Sequence, residues 1–298
     1  MPSPSRRAQL LPNLITLGNA FCGLLALSKA IDALTLSSER PIVFYEKMET
    51  ACIFVLCGMI LDALDGLVAR MTGGGSEFGA QLDSFSDALT FGVVPAILAK
   101  ILIGHETTGA SPRLQFLAAA TFALMAILRL VRYNLQPSPT DATSDDDVKT
   151  FQGLPSPAAA GAACATIWLY LILRRPELEM EEGTPTPLYE WLHNTKFMEW
   201  LDWTPFLDRI PSLLVVLLPL LGLLMVSNIR YVHGISYVAS RGGQFPTLVV
   251  IVGSLILFYG APVPIMFLSA MAFMLSGLIS GPRAWMRARA ARRGPPMA

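Results

Sequence analysis

The chain has 298 residues, 53% of them hydrophobic and only 15% charged, with a mean hydropathy of +0.52 and a formal net charge of zero. A soluble protein of this length carries more charge and does not sustain bilayer-length apolar runs, so composition excludes an ordinary soluble enzyme and implies an all-α integral membrane protein. The net charge is uninformative about nucleic acid, and no such partner is expected.

Arg6 and Arg7 open the chain and run into an apolar stretch without a clear cleavage site, so no removable signal peptide is expected. Apolar patterning predicts a polytopic bundle of about eight transmembrane helices, at about 11–31, 51–71, 79–103, 114–134, 155–174, 210–227, 245–260 and 263–281. An even number puts both termini on one side. The segments then assigned to that side hold 13 of the 22 Lys and Arg residues, a modest positive-inside bias that makes it cytoplasmic. Residues 135–150, with Asp145, Asp146 and Asp147, and residues 175–209, with Trp191, Trp200 and Trp203, read as a solvated linker and an interfacial connection. The basic tail, residues 282–298, is either a headgroup-binding segment or a stop-transfer flank. His105, His193 and His233 have no zinc spacing, and the four cysteines fall in apolar segments as small buried hydrophobes, without a disulfide framework.

The second and third spans contain what a bilayer segment should not: Asp62-x2-Asp65-Gly66-x2-Ala69-Arg70-x8-Gly79-x3-Asp83-x3-Asp87. An ionised Asp at a helix centre costs roughly 2.5–3.5 kcal/mol on insertion scales, so four of them predict a protein-lined cavity with compensating cations. On a helix with Asp62 at zero, Asp65 falls near about −60°, Ala69 near about −20°, Gly66 near about +40° and Arg70 near about +80°, one shared face. Gly79, Asp83 and Asp87, four residues apart, make a second stripe. The short Gly-rich link between them, Met71 to Phe78, forces the two helices to be antiparallel neighbours with their stripes face to face.

All-oxygen ligation without His or Cys points to hard divalent ions, Mg²⁺ or Mn²⁺, and two of them would balance the formal charge. A metal pair facing a pyrophosphate suits phosphoryl transfer. Gly66, Ala69 and Gly79 would leave room for a nucleotide, and Arg70 would contact phosphate. The plainer alternatives are small-residue helix packing for the former and cytoplasmic anchoring for Arg70.

Residues 62–87 match every fixed position of the CDP-alcohol phosphotransferase signature, and the chain is identified as resembling that family. The resemblance implies a six-helix membrane core with CMP as leaving group. It also implies a dinuclear metal site in which Asp62 and Asp83 bridge while Asp65 and Asp87 each complete one ion. Asp87 would be the base that deprotonates the acceptor alcohol, and Gly66, Arg70 and Ser76 would hold the CDP-lipid, Ser76 being otherwise a loop residue. Homodimers are usual in the family. By this likeness residues 1–227 form the six-helix core and residues 228–281 add two helices.

Three further stretches are similar to the type II phosphatidylserine synthases: Leu11 to Gly23, Arg129 to Asn134, and Phe151 to Gly161. They imply CDP-diacylglycerol as donor and L-serine as acceptor, by single displacement. Asn13 and Thr16 lie three apart near the start of a helix, where they either cap it after Pro12 or face the nucleotide headgroup. Arg129 and Arg132 either anchor the cytoplasmic end of their span or capture a carboxylate or phosphate, a task for which a guanidinium fork is suited. Asn134 assists them or ends the helix. The competing readings are the same chemistry with glycerol 3-phosphate or inositol, a cation-coupled transporter, which would release no CMP, a non-catalytic scaffold, and a prenyltransferase, which would carry its Asp clusters twice.

Overall fold

The computed structural model describes residues 6–36, 41–72, 76–107, 111–135, 150–174, 207–232, 248, 252–253, 259 and 262–292. Its helices are α1 (Arg6–Leu36), α2 (Pro41–Thr72), α3 (Glu77–Asp87), a π-helical turn (Ala88–Val93), α4 (Val94–Glu106), α5 (Pro112–Asn134), α6 (Ser156–Arg174), α7 (Ile210–Val226) and α8 (Pro262–Arg292). Among the described residues five helical stretches are long and apolar enough to cross a bilayer, and the apolar helices Ile210–Val226 and Pro262–Gly277 are shorter. The chain is an all-α polytopic membrane protein. The predicted span 245–260 falls largely outside the described residues, as do Asp145 to Asp147 and the three connection tryptophans.

The first two spans are longer than predicted, and for the second the difference has a cause. Pattern reading starts the second span at residue 51 because Glu46, Lys47 and Glu49 precede it, whereas α2 begins at Pro41 and carries those charges on its outer turns. Pro12 does not start α1 but lies inside it. Asn13 is therefore not an N-cap.

Small residues decide which helices sit at the centre. Ala26, Ala30 and Ala33 form a fully buried stripe on α1, a spacing that permits close helix approach in a membrane, where packing replaces the hydrophobic effect. The Ala-rich α6 has 72% of its apolar window buried against 33% for α1, so α6 is the inner element. On the opposite face of α1, Leu10, Leu14, Leu17, Phe21 and Leu24 are exposed, the outward stripe expected to meet lipid.

Among the described residues two short strands pair: β1 (Thr150–Gln152) runs antiparallel to β2 (Arg230–Val232), Phe151 opposite Tyr231. Gly153 follows with φ +78°, and a Cβ there would overlap the Met225 carbonyl. Only glycine fits this turn. Its N–H donates to Ile229 O at 2.8 Å and that of Leu154 to Leu224 O at 3.0 Å, which seats the start of α6 on the end of α7.

At the other end of α4, Glu106 accepts hydrogen bonds from the hydroxyls of Tyr45 on α2 and Tyr170 on α6, each at 2.6 Å. His105, stacked on Phe44 with centroids 3.7 Å apart, closes the same corner. Of the cysteines, Cys52 and Cys164 are buried as expected, but Cys57 is exposed, an apolar-compatible thiol on an outer helix face.

Candidate active site

The site is assembled where α1, α2 and α3 meet. Ser76 caps α3: its backbone is extended and its hydroxyl accepts from Gly79 N–H at 3.0 Å. That cap points the first turn of α3 at α1, where a Cβ on Gly79 would lie 2.7 Å from Asn13 Oδ1. The missing side chain lets α3 approach α1 closely here.

Asp62 on α2 and Asp83 and Asp87 on α3 bring carboxylate oxygens within 4.8 Å of one another. The expected face-to-face stripes are present. Asp65 is outside this close trio and lines the adjoining cavity together with Asp83. One of its oxygens accepts from the Thr16 hydroxyl at 2.7 Å, and that hydroxyl also lies 3.0 Å from the Pro12 carbonyl. Three or four carboxylates this close repel strongly without cations. Asp83 Oδ1 is buried without a hydrogen-bond partner among the described residues, so the donor set fits hard divalent ions.

A cavity of about 190 Å³ opens next to the acid group, lined by Asn13, Gly66, Ala69, Ser76 and Gly79 together with Asp65 and Asp83. Five of the residues expected at a CDP-lipid site thus share one concavity. Arg70 is exposed, and its guanidinium lies 3.8 Å from where a Gly66 Cβ would be. It overhangs the small-residue floor.

The three polar residues at the end of α5 separate. Arg129 donates to the buried Ser156 hydroxyl at 3.2 Å, while its Nε is buried without a partner among the described residues. Arg132 instead donates to Val226 O at 3.0 Å and to Asn228 Oδ1 at 2.6 Å, tying α5 to the end of α7. Asn134 donates to Ser84 Oγ on α3 at 2.9 Å. Sequence reasoning missed Ser156, Asn19 and Thr90; Asn19 stands three residues after Thr16, a polar repeat in an otherwise apolar span.

Residues 9–203 match the family model for CDP-alcohol phosphatidyltransferase. The chain belongs to this family. A CDP-diacylglycerol–serine O-phosphatidyltransferase of Helicobacter pylori is 30% identical over 228 residues, 76% of this chain and 74% of that protein. One of Bacillus subtilis is 34% identical over 149 residues, 50% of this chain and 70% of the relative. An archaetidylserine synthase of Methanothermobacter thermautotrophicus is 34% identical over 152 residues, 50% of this chain and 54% of the relative. CDP-alcohol phosphatidyltransferases are generally divalent-metal dependent, which agrees with the acid group of this member.

Proposed function

We propose that this CDP-alcohol phosphatidyltransferase moves the phosphatidyl group of CDP-diacylglycerol to the hydroxyl of L-serine, releasing CMP. The observation that carries the chemistry is the Asp62, Asp83 and Asp87 group set against the small-residue cavity. The named relatives carry the choice of substrates.

Asp62, Asp65, Asp83 and Asp87 would hold two divalent ions, Mg²⁺ or Mn²⁺. When bound, such ions neutralise charge on a pyrophosphate and its departing phosphate. Asn13, Thr16, Gly66, Ala69, Ser76 and Gly79 form the donor-lipid side, with Arg70 reaching over it as the phosphate cation. Asp87 takes the proton from the serine hydroxyl. The serine oxygen then forms a bond to the lipid-proximal phosphorus in line as the bond from that phosphorus to the CMP oxygen breaks. Arg129, backed by Ser156, would hold the serine carboxylate, with Arg132 and Asn134 bracing the end of α5 that carries it. The six-helix core is residues 1–227, followed by two added helices of which the second is α8, whose end carries basic residues of the expected tail 282–298. Active site and termini face the cytoplasm, and the protein works as a homodimer among membrane lipids.

Purified protein with CDP-diacylglycerol and Mn²⁺ or Mg²⁺ is offered serine, glycerol 3-phosphate or inositol in turn. The expected result is CMP release and phosphatidylserine with serine alone, abolished by chelation. A different lipid product reassigns the acceptor, and no CMP with any alcohol or metal removes the transferase reading. Asp87→Asn is expected to abolish turnover nearly completely while CDP-lipid binding stays measurable.

A further inference from the structure

Asp87 is held from behind by residues that belong neither to the acid motif nor to the lipid cavity. Asn19, wholly buried on α1, donates from Nδ2 to Asp87 Oδ1 at 3.2 Å. Thr90, also wholly buried, donates its hydroxyl to the Asn19 carbonyl at 3.1 Å. The two meet in a pocket cut to size: a Cβ on Gly23 would lie 2.5 Å from Thr90 Oγ1, and one on Gly58 would lie 2.8 Å from Thr90 Cγ2 and 2.9 Å from Asn19 Oδ1. α1 and α2 each leave out a side chain at this point.

Thr90 reaches α1 because the helix widens at that place. The widening is a π turn: Val94 N–H bonds back to Leu89 O, five residues away, and Pro95, which has no N–H, follows directly. The wide turn begins one residue after Asp87. Single π turns inside α-helices occur often at functional sites. Asn19 Oδ1 is buried with no donor among the described residues. A buried amide left half-satisfied is a poor stabiliser, so this side chain is better explained by what its NH₂ holds than by packing.

We propose that Asn19 is a positioning residue for Asp87: it holds one carboxylate oxygen, leaving the other to meet the acceptor hydroxyl, and Thr90 on the π turn sets Asn19. The inference rests on the reading of Asp87 as base, and its test separates the two. Asn19→Leu, close in size and without a donor, is expected to lower kcat roughly 10–100-fold, the range for partners that orient metal-site ligands. KM for the CDP-lipid, and CDP affinity measured by titration calorimetry in Mn²⁺, are expected to stay within about 3-fold, because orientation rather than donor binding is lost. Thr90→Val is expected to lower kcat by a smaller factor and Thr90→Ser, which restores the hydroxyl, to recover it.

Turnover in Asn19→Leu within about 3-fold of the parent, or a loss of CDP affinity as large as the loss of kcat, overturns the proposal. Where Asn19→Leu fails to fold, the Thr90 pair decides: equal kcat in the Val and Ser variants overturns it. An active Asp87→Asn, by contrast, removes the base reading itself, whatever Asn19 does.

Discussion

The polar residues that matter here do their work in pairs across helices, and Thr16 is a clear case. Its hydroxyl donates to the buried Asp65 at 2.7 Å, so removing it leaves a carboxylate oxygen without its partner in a site that already concentrates negative charge. Thr16→Val keeps the shape and deletes the donor. The expected outcome is a Mn²⁺ requirement for half-maximal turnover raised roughly 10-fold, as for other groups that orient metal ligands, with Thr16→Ser close to the parent. An unchanged metal titration in Thr16→Val would make the hydrogen bond incidental. The four Asp and the small residues beside them were legible in the sequence because charge and glycine inside an apolar span both demand explanation. Asn19 and Ser156 were not, since an uncharged polar side chain in a span is unremarkable until its partner is seen.

At the scale of elements, an apolar run reveals a helix but not its wet ends. The second span reads as stopping at the charges before residue 51, yet those turns carry α2 out to Pro41 and bring Tyr45 to Glu106. The π turn had no periodic signature either. From Asp87 to Glu106 the helix advances 19 residues, roughly 28 Å at 1.5 Å each, so the Glu106 corner lies about a bilayer core's thickness from the acids along the helix. Its hydrogen bonds join α2, α4 and α6 there, and the Glu106 side chain is only 11% exposed. Each hydrogen bond to a charged group contributes about 1.5–3 kcal/mol. Glu106→Gln, which weakens two of them, is expected to lower Tm in detergent by several degrees while leaving KM for the CDP-lipid unchanged. A shifted KM with unchanged Tm would mean that this corner serves the substrate and not the bundle.

At the scale of the whole molecule the arrangement has a parity that can be tested. Asn13 near the start of α1 meets Gly79 near the start of α3, so the site lies at the end of the bundle where α1 begins. Glu106 and Arg174 then end α4 and α6 on the far face, and Val226 returns α7 to the near one. From there the side on which the C-terminus emerges depends on whether the predicted span 245–260 crosses. With it, the basic tail emerges on the same side as the acids, the side proposed to be cytoplasmic and the one its Arg residues favour; without it, α8 alone would carry the tail to the other side. In a background lacking the four native cysteines, Thr184→Cys in the long connection is expected to react with a membrane-impermeant maleimide in intact cells. Ala288→Cys near the end of α8 is expected to react only after permeabilisation. Labelling of Ala288→Cys from outside would remove one crossing between Val226 and the tail, and with it the eight-span topology.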